Sequence, residues 1–282
     1  IGDAAVHALR AEGVRTERIV RSGSRVGVYF TEAGASQRAS TVIYDRARSS
    51  ISEMPPEAVD WDAVLAGADW FHVTGITPAL GANGTEGTRR AIAAAGRAGV
   101  RVSVDLNYRK KLWTEVQARE TMRPMMRGVD VVMANEEDLQ SVLGVHVPGT
   151  DVTSGQLNLE GFRQAAAEVS RDFGASLVAI TLRESLSASD NGWSAVLWDA
   201  KARTLLESQR YDVRLVDRIG GGDSFAAGLI YGLASGRPAA DALRFAVAAS
   251  ALKQTIPGDF NRVSVEEVDR LVGGDASGRV QR

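Results

Sequence analysis

Residues 217–232 read Asp-Arg-Ile-Gly-Gly-Gly-Asp-Ser-Phe-Ala-Ala-Gly-Leu-Ile-Tyr-Gly. Three glycines run straight into a carboxylate, and a helical pattern starts there. Without Cβ atoms, Gly220, Gly221 and Gly222 let the backbone curl into a nest of N–H groups. The first turn of the helix adds unpaired donors and the positive end of its dipole. A phosphate suits such a place, but Asp223 repels a phosphate. Two readings meet that conflict. In one, Asp223 takes the proton of a hydroxyl while the nest stabilises charge on a phosphoryl group in transfer. In the other, Asp223 caps the helix and the glycines only make a tight turn.

Outward from this stretch, apolar runs at 69–74, 101–106, 130–134, 176–182 and 193–198 read as strands. Between and after them, helical periodicity covers 85–98, a segment reaching 127, and 136–143, 159–173, 223–235, 238–253 and 264–272. This alternation predicts an α/β fold, with parallel βαβ units and helices on both faces of the sheet. Residues 3–12 are helical in pattern. The runs 25–30 and 39–45, separated by a polar turn, read as a β-hairpin. Ligands of such sheets sit beyond the carboxyl ends of the strands. Three polar clusters fall at those ends: Asp105 to Arg109, Asn135 to Asp138, and Thr181 to Glu184.

Composition narrows the partners. The 282-residue chain is 44% hydrophobic and 24% charged, an ordinary balance for a packed domain. Its net charge of −2 provides no field to recruit nucleic acid or an anionic membrane. With no cysteine there are no disulfides, thiolate metal sites or cysteine nucleophiles, which fits a reducing cytoplasm. No apolar run approaches the roughly 18 residues of a membrane helix. The start at Ile1 lacks the basic region of a signal peptide. It falls inside a helical pattern, so a segment ahead of Ile1 is expected to be absent from the sequence.

Each polar cluster has a chemical and a bland reading. Asn135-Glu136-Glu137-Asp138 offers oxygen ligands to Mg²⁺, or a helix cap with acids on the dipole. Asp105-x-Asn107-x-Arg109 offers a guanidinium for a carboxylate or phosphate, or a solvated loop. Tyr29, Tyr44 and Arg46 on the hairpin could receive a polyol, or form cross-strand packing. Asp259 follows a Pro-Gly turn, where a lone acid is most often structural. His72, inside an apolar run, reads as a hydrogen-bonded core histidine. No hydrolase elbow or P-loop motif is present.

Gly220-Gly221-Gly222-Asp223-Ser224-Phe225-Ala226-Ala227-Gly228 resembles the C-terminal signature of the ribokinase-like (PfkB) carbohydrate kinases. The similarity extends over nearly the whole chain. Asn135 to Asp138 resembles the family's Mg-linked Asn-x-x-Glu motif, with Asp138 one methylene shorter. Asp105 to Trp113 and Thr255 to Phe260 resemble the 2-keto-3-deoxygluconate (KDG) kinase branch.

The resemblance implies a three-layer α/β/α core with a mainly parallel sheet, over 1–19 and 47–282, and a small β lid that includes 20–46. The family's opening strand would precede Ile1. It implies ATP-dependent phosphorylation of the terminal hydroxyl of a sugar acid. Asp223 is then the base, with Gly220, Gly221 and Gly222 as anion hole. Tyr29, Tyr44, Arg46, Arg109 and Asp259 are expected at the sugar acid. Thr181, Arg183, Glu184, Gly220 and Gly222 are expected at ATP, and Asn135 and Asp138 at Mg²⁺ through water. A homo-oligomer joined through the lid is also implied. Two alternatives stay open: a kinase of a neutral sugar such as fructose or ribose, and a non-catalytic protein that binds sugar acid or nucleotide.

Overall fold

The structure, a computed structural model, describes residues 1–149 and 158–275. The carboxyl end of the expected core, 276–282, lies outside the described residues. The chain opens with α1 (Gly2–Ala11), which buries none of its residues. The antiparallel pair β1 (Val28–Glu32) and β2 (Thr41–Asp45) follows as a sheet of its own. Short helices α2 (Ser50–Glu53) and α3 (Trp61–Leu65) lead to β3 (Trp70–Thr74). Next come α4 (Ile76–Ala79), α5 (Ala82–Ala98), β4 (Arg101–Asp105), α6 (Glu115–Met125), β5 (Val131–Ala134) and α7 (Glu136–Asp138). Then follow α8 (Leu159–Phe173), β6 (Leu177–Ser185), β7 (Asp190–Asp199), β8 (Thr204–Glu207) and β9 (Tyr211–Arg214). The last helices are α9 (Gly221–Ala234), α10 (Ala239–Lys253) and α11 (Val265–Val272).

Among the described residues the main sheet has seven strands in the order β3-β4-β5-β6-β7-β8, with β9 also on β7. Strands β3 to β6 are parallel, and β7 runs antiparallel to β6. β8 and β9 divide the other edge of β7 between them. Successive residues of a strand point to opposite faces, and β5 shows what that builds. Val132 and Ala134 join one core with Met122 and Phe162, while Val131 and Met133 join another with Phe225, Leu229 and Leu243. Two cores on one sheet make the three layers.

The layer of α9 and α10 sets the position of the glycine nest. The two helices meet through Gly228, Gly232, Ala242 and Ala246. A Cβ at Gly228 would lie 2.9 Å from Ala246 Cα, and one at Gly232 would lie 2.8 Å from Ala242 Cβ. Glycine lets the backbones touch and leaves no slack at the start of α9.

Some elements differ from the sequence expectation. The 136–143 helix is a three-residue α7 that widens into a π turn over 139–143 and stops at Gly144, whose φ is 71°. β6 extends to Ser185, so Thr181 to Glu184 lie within a strand rather than after one. His72 is not a core residue: it lies exposed on β3 at the sheet edge, with Nδ1 2.8 Å from Ser103 Oγ.

Candidate active site

The parallel strands deliver their carboxyl ends to one rim, and the nest faces it. Gly220 precedes α9 as its N-cap, with φ 76°, and no side chain caps the helix. The N–H groups of Gly220, Gly222 and Asp223 have no hydrogen bond among the described residues. Asp223 is the third residue of α9. Its side chain is exposed and accepts no hydrogen bond from any described residue. The capping reading therefore does not describe Asp223.

It does describe Asn135. Asn135 Oδ1 accepts the N–H of Asp138 at 2.8 Å, and Asp138 Oδ2 accepts the N–H of Asn135 at 3.1 Å. The other oxygen, Asp138 Oδ1, accepts the N–H of Tyr108 at 2.8 Å, which ties the turn after β4 to the turn after β5. Burial raises the Asp138 pKa despite these donors.

The turn after β4 reverses sharply. Asn107 takes φ 43°, a left-handed conformation that Asn tolerates better than most residues. Its Nδ2 donates to Thr74 Oγ1 at 3.1 Å. Beyond it, Arg109 donates from Nη1 to the Tyr108 carbonyl at 3.0 Å and makes no ion pair among the described residues.

The carboxyl group of Asp105, at the end of β4, is pushed up to about 7. Burial is the main cause. The charges of Asp138 and Asp223 add to it, and Arg109 and a backbone N–H near Asn107 oppose it. A carboxyl group raised in the folded state binds more protons there than in the unfolded chain. Between about pH 4, the unfolded value, and about pH 7, stability therefore falls as pH rises. Asp105→Asn is expected to raise the thermal midpoint more at pH 8 than at pH 5. Equal shifts at both pH values would show that Asp105 titrates normally.

The hairpin closes over this rim. Tyr29 and Tyr44 are directly opposed and share a face, with ring centroids 6.1 Å apart. The Arg46 guanidinium stacks on Tyr44, 4.0 Å from the ring centroid. Arg46 has no carboxylate partner among the described residues. The Tyr29 hydroxyl donates to Asp259 Oδ2 in a short hydrogen bond. Burial, followed by this contact, raises the Tyr29 pKa. The backbone of Asp259 in turn lies against Gly220, where a Cβ would come within 2.4 Å of its carbonyl oxygen. Tyr29, Asp259 and Gly220 thus connect the lid to the nest.

On the far side of the nest, Thr181 Oγ1 donates to the Ala134 carbonyl at 3.4 Å. Glu184 is committed elsewhere: its two carboxylate oxygens take Nε and Nη2 of Arg210, each at 3.0 Å. Arg183 points to the opposite face of β6 from Glu184. Burial and the neighbouring guanidinium of Arg218 both lower the Arg183 pKa. Two guanidinium charges that influence one another favour an anion nearby.

The family model for pfkB family carbohydrate kinases matches residues 1–261. The chain belongs to the pfkB family. It is a carbohydrate kinase. A crystal structure of 2-dehydro-3-deoxygluconokinase from Thermotoga maritima superposes with a TM-score of 0.92 at 48% identity, over 97% of this chain and 80% of that one. The 2-dehydro-3-deoxygalactonokinase of Haloferax volcanii is 33% identical, over 95% of this chain and 77% of its own length. The 2-dehydro-3-deoxygluconokinase of Thermoproteus tenax is 30% identical, over 95% of this chain and 74% of its own.

In this pfkB kinase no described group of three His, Asp or Glu side chains could strip and enclose a metal ion. The Asp138 oxygens each spend one lone pair on a backbone N–H, so they fit a hydrated Mg²⁺ reached through water better than a bare one. Sequence reasoning missed Arg218, although it stands two residues ahead of the glycines. It also missed the last turn of α10, which packs behind the nest: Ser250 Oγ donates to the Gly221 carbonyl at 2.7 Å. The available signal was Lys253, a charge in an Ala-rich apolar helix.

Proposed function

We propose that this kinase transfers the γ-phosphoryl group of ATP to the terminal hydroxyl of 2-keto-3-deoxygluconate. The observation that carries the reading is Arg46. It is a guanidinium stacked on a lid tyrosine, without a carboxylate of its own, on a lid already linked to Asp259 and the nest. An unpaired cation over a sugar site calls for an acidic sugar. The names of the Thermotoga and Thermoproteus relatives support the same substrate, and that of the Haloferax relative supports its galactonate epimer.

In this reading Arg46 and Arg109 pair with the substrate carboxylate, while Tyr29, Tyr44 and Asp259 take its hydroxyls. Asp223 accepts the proton of the terminal hydroxyl. The hydroxyl oxygen bonds to the γ-phosphorus as the bond from that phosphorus to the β–γ bridging oxygen breaks, and ADP leaves with the bridging oxygen. The free N–H groups of Gly220, Gly222 and Asp223 hold the charge on the transferring group. Thr181, Arg183 and Arg218 line the approach of the nucleotide. A hydrated Mg²⁺ at Asn135 and Asp138 supplies charge neutralisation on the phosphates when bound. The lid keeps water out.

ADP release with MgATP and KDG, its galactonate epimer, fructose or ribose tests the proposal. Turnover on the sugar acids alone is expected. Turnover on fructose or ribose would replace the substrate, and no turnover on any sugar would favour a binding protein. Arg46→Ala is expected to lower kcat/KM for KDG by about 10²-fold, as loss of a charged partner does. Residual activity on neutral sugars should change by less than about threefold. Equal losses on all sugars would remove Arg46 from carboxylate recognition.

We also propose that two copies join through the outer face of the lid. Phe30 and Ile43 are directly opposed on that face and are 64% and 63% exposed. Such a pair is a self-complementary apolar patch. Phe30→Glu combined with Ile43→Glu is expected to halve the mass seen by light scattering. An unchanged mass would place any interface elsewhere.

A further inference from the structure

Lys253 is a charged side chain with no exposed surface. It ends α10, and no step of the transfer described above uses it. An ammonium is buried only where partners hold it, so its neighbours indicate what keeps it there. Nζ donates to the Asp217 carbonyl at 3.4 Å and to the Ile256 carbonyl at 3.2 Å. These carbonyls belong to two turns that are distant in sequence. The first runs from Asp217 into the nest, and the second runs from Ile256 to Asp259.

Every nearby contact joins the same two turns or braces them. Asp217 Oδ1 accepts the N–H of Ile219 at 2.9 Å, and Oδ2 accepts the N–H of Gly258 at 3.0 Å. The N–H groups of Val216 and Asp217 both reach the Gln254 carbonyl, at 2.9 and 3.2 Å. The Lys253 side chain passes directly beneath Gly220, where a Cβ would meet Lys253 Cε at 3.4 Å. The location suits a cation, because the last carbonyls of a helix are unpaired and its dipole is negative at that end. Burial lowers the Lys253 pKa, while the carboxylates of Asp217 and Asp259 act to keep it charged.

We propose that Lys253 is a positioning residue for phosphoryl transfer: its ammonium bolts together, from behind, the turn that forms the glycine nest and the turn that carries Asp259. It touches neither sugar nor nucleotide. The inference rests on the reading of 220–223 as the place of transfer. It adds that the spacing between anion hole and sugar site is set by one buried charge. A displacement of about 1 Å at such a site costs about 10²-fold in rate.

Two variants test it. Lys253→Met keeps most of the volume without the charge. Lys253→Ala leaves a hole lined by carbonyl oxygens that a small alkylammonium ion could enter. Both are assayed beside the wild type and Asp223→Asn, at a temperature where circular dichroism shows the variants folded. The expected result is a kcat about 10²-fold below wild type for both, with KM for MgATP within about threefold. Added ethylammonium should restore Lys253→Ala by about tenfold or more, saturably, and leave Lys253→Met unchanged. Tetramethylammonium at equal ionic strength should restore neither.

A merely structural lysine would lower the unfolding temperature and leave kcat of the folded protein within about threefold of wild type. That outcome overturns the proposal, as does an alanine variant without amine rescue. If neither variant folds, Lys253 belongs to the folding core and the proposal also fails. The two readings separate at the wild type. An active wild type with unaffected variants removes only Lys253, whereas a wild type inactive on every sugar removes the site reading and this inference with it.

Discussion

Asp223→Asn is expected to lower kcat by about 10³-fold or more, within the range for loss of a general base. The amide is isosteric with the carboxylate and cannot take the proton of the attacking hydroxyl. Little else should change. Asp223 accepts no hydrogen bond from any described residue, so the fold loses no contact. Sugar affinity measured by calorimetry should stay within about threefold, because Arg46, Arg109 and Asp259 are untouched. Removing a negative charge beside the nest should not weaken MgATP binding. Turnover within about tenfold of wild type would remove Asp223 from the base role.

The second large effect is expected at Gly220. Its φ of 76° is left-handed, which costs an L-residue about 1–2 kcal/mol. An added Cβ would also sit 2.4 Å from the Asp259 carbonyl oxygen, a backbone atom that cannot swing aside. Forced overpacking typically adds about 1–3 kcal/mol. Gly220→Ala should therefore lower stability in urea by about 2–5 kcal/mol. It should also cut kcat by about 10²-fold or more, since nest and Asp259 must part. Gly222→Ala is the control for stability, because its Cβ would meet nothing within 4 Å. Similar stability losses in the two variants would show that crowding against Asp259 is not the cause.

Much of this was legible in the sequence, for reasons that can be traced residue by residue. The parallel strands were readable because they are apolar on both faces, and β5 feeds one core with Val131 and the other with Val132. β8 and β9 were not. They are four residues each, partly polar, and stable only because β7 offers an edge ten residues long. The helix expected over 136–143 kept its apolar spacing but not its winding, which periodicity cannot distinguish. His72 looked like a core residue because its neighbours are apolar, but strand order decides exposure and β3 lies at the edge.

The site divides along the same line. The glycines and Asp223 were legible because few other structures need three bare residues before an acid. Lys253 was not, since its role depends on Asp217 and Ile256, which approach it only in three dimensions. Asn135 and Asp138 stand out in the sequence together, as a candidate Mg²⁺ pair or a helix cap, while the return hydrogen bond from the Asn135 N–H to Asp138 emerges only from geometry.

The contact between Tyr29 and Asp259 has a consequence for how the enzyme meets its substrate. In the proposed site Asp259 is a sugar ligand, and in the structure its carboxylate is already engaged by a phenol from the same chain. The protein thus carries an internal competitor, tethered at high effective concentration. Incoming sugar must displace it, and the apparent dissociation constant is the intrinsic one divided by the fraction of molecules with Asp259 free. The exchange trades one hydroxyl for another, so it costs little once substrate is present. In a molecule without sugar, the Tyr29 contact holds the hairpin against the turn that carries Asp259.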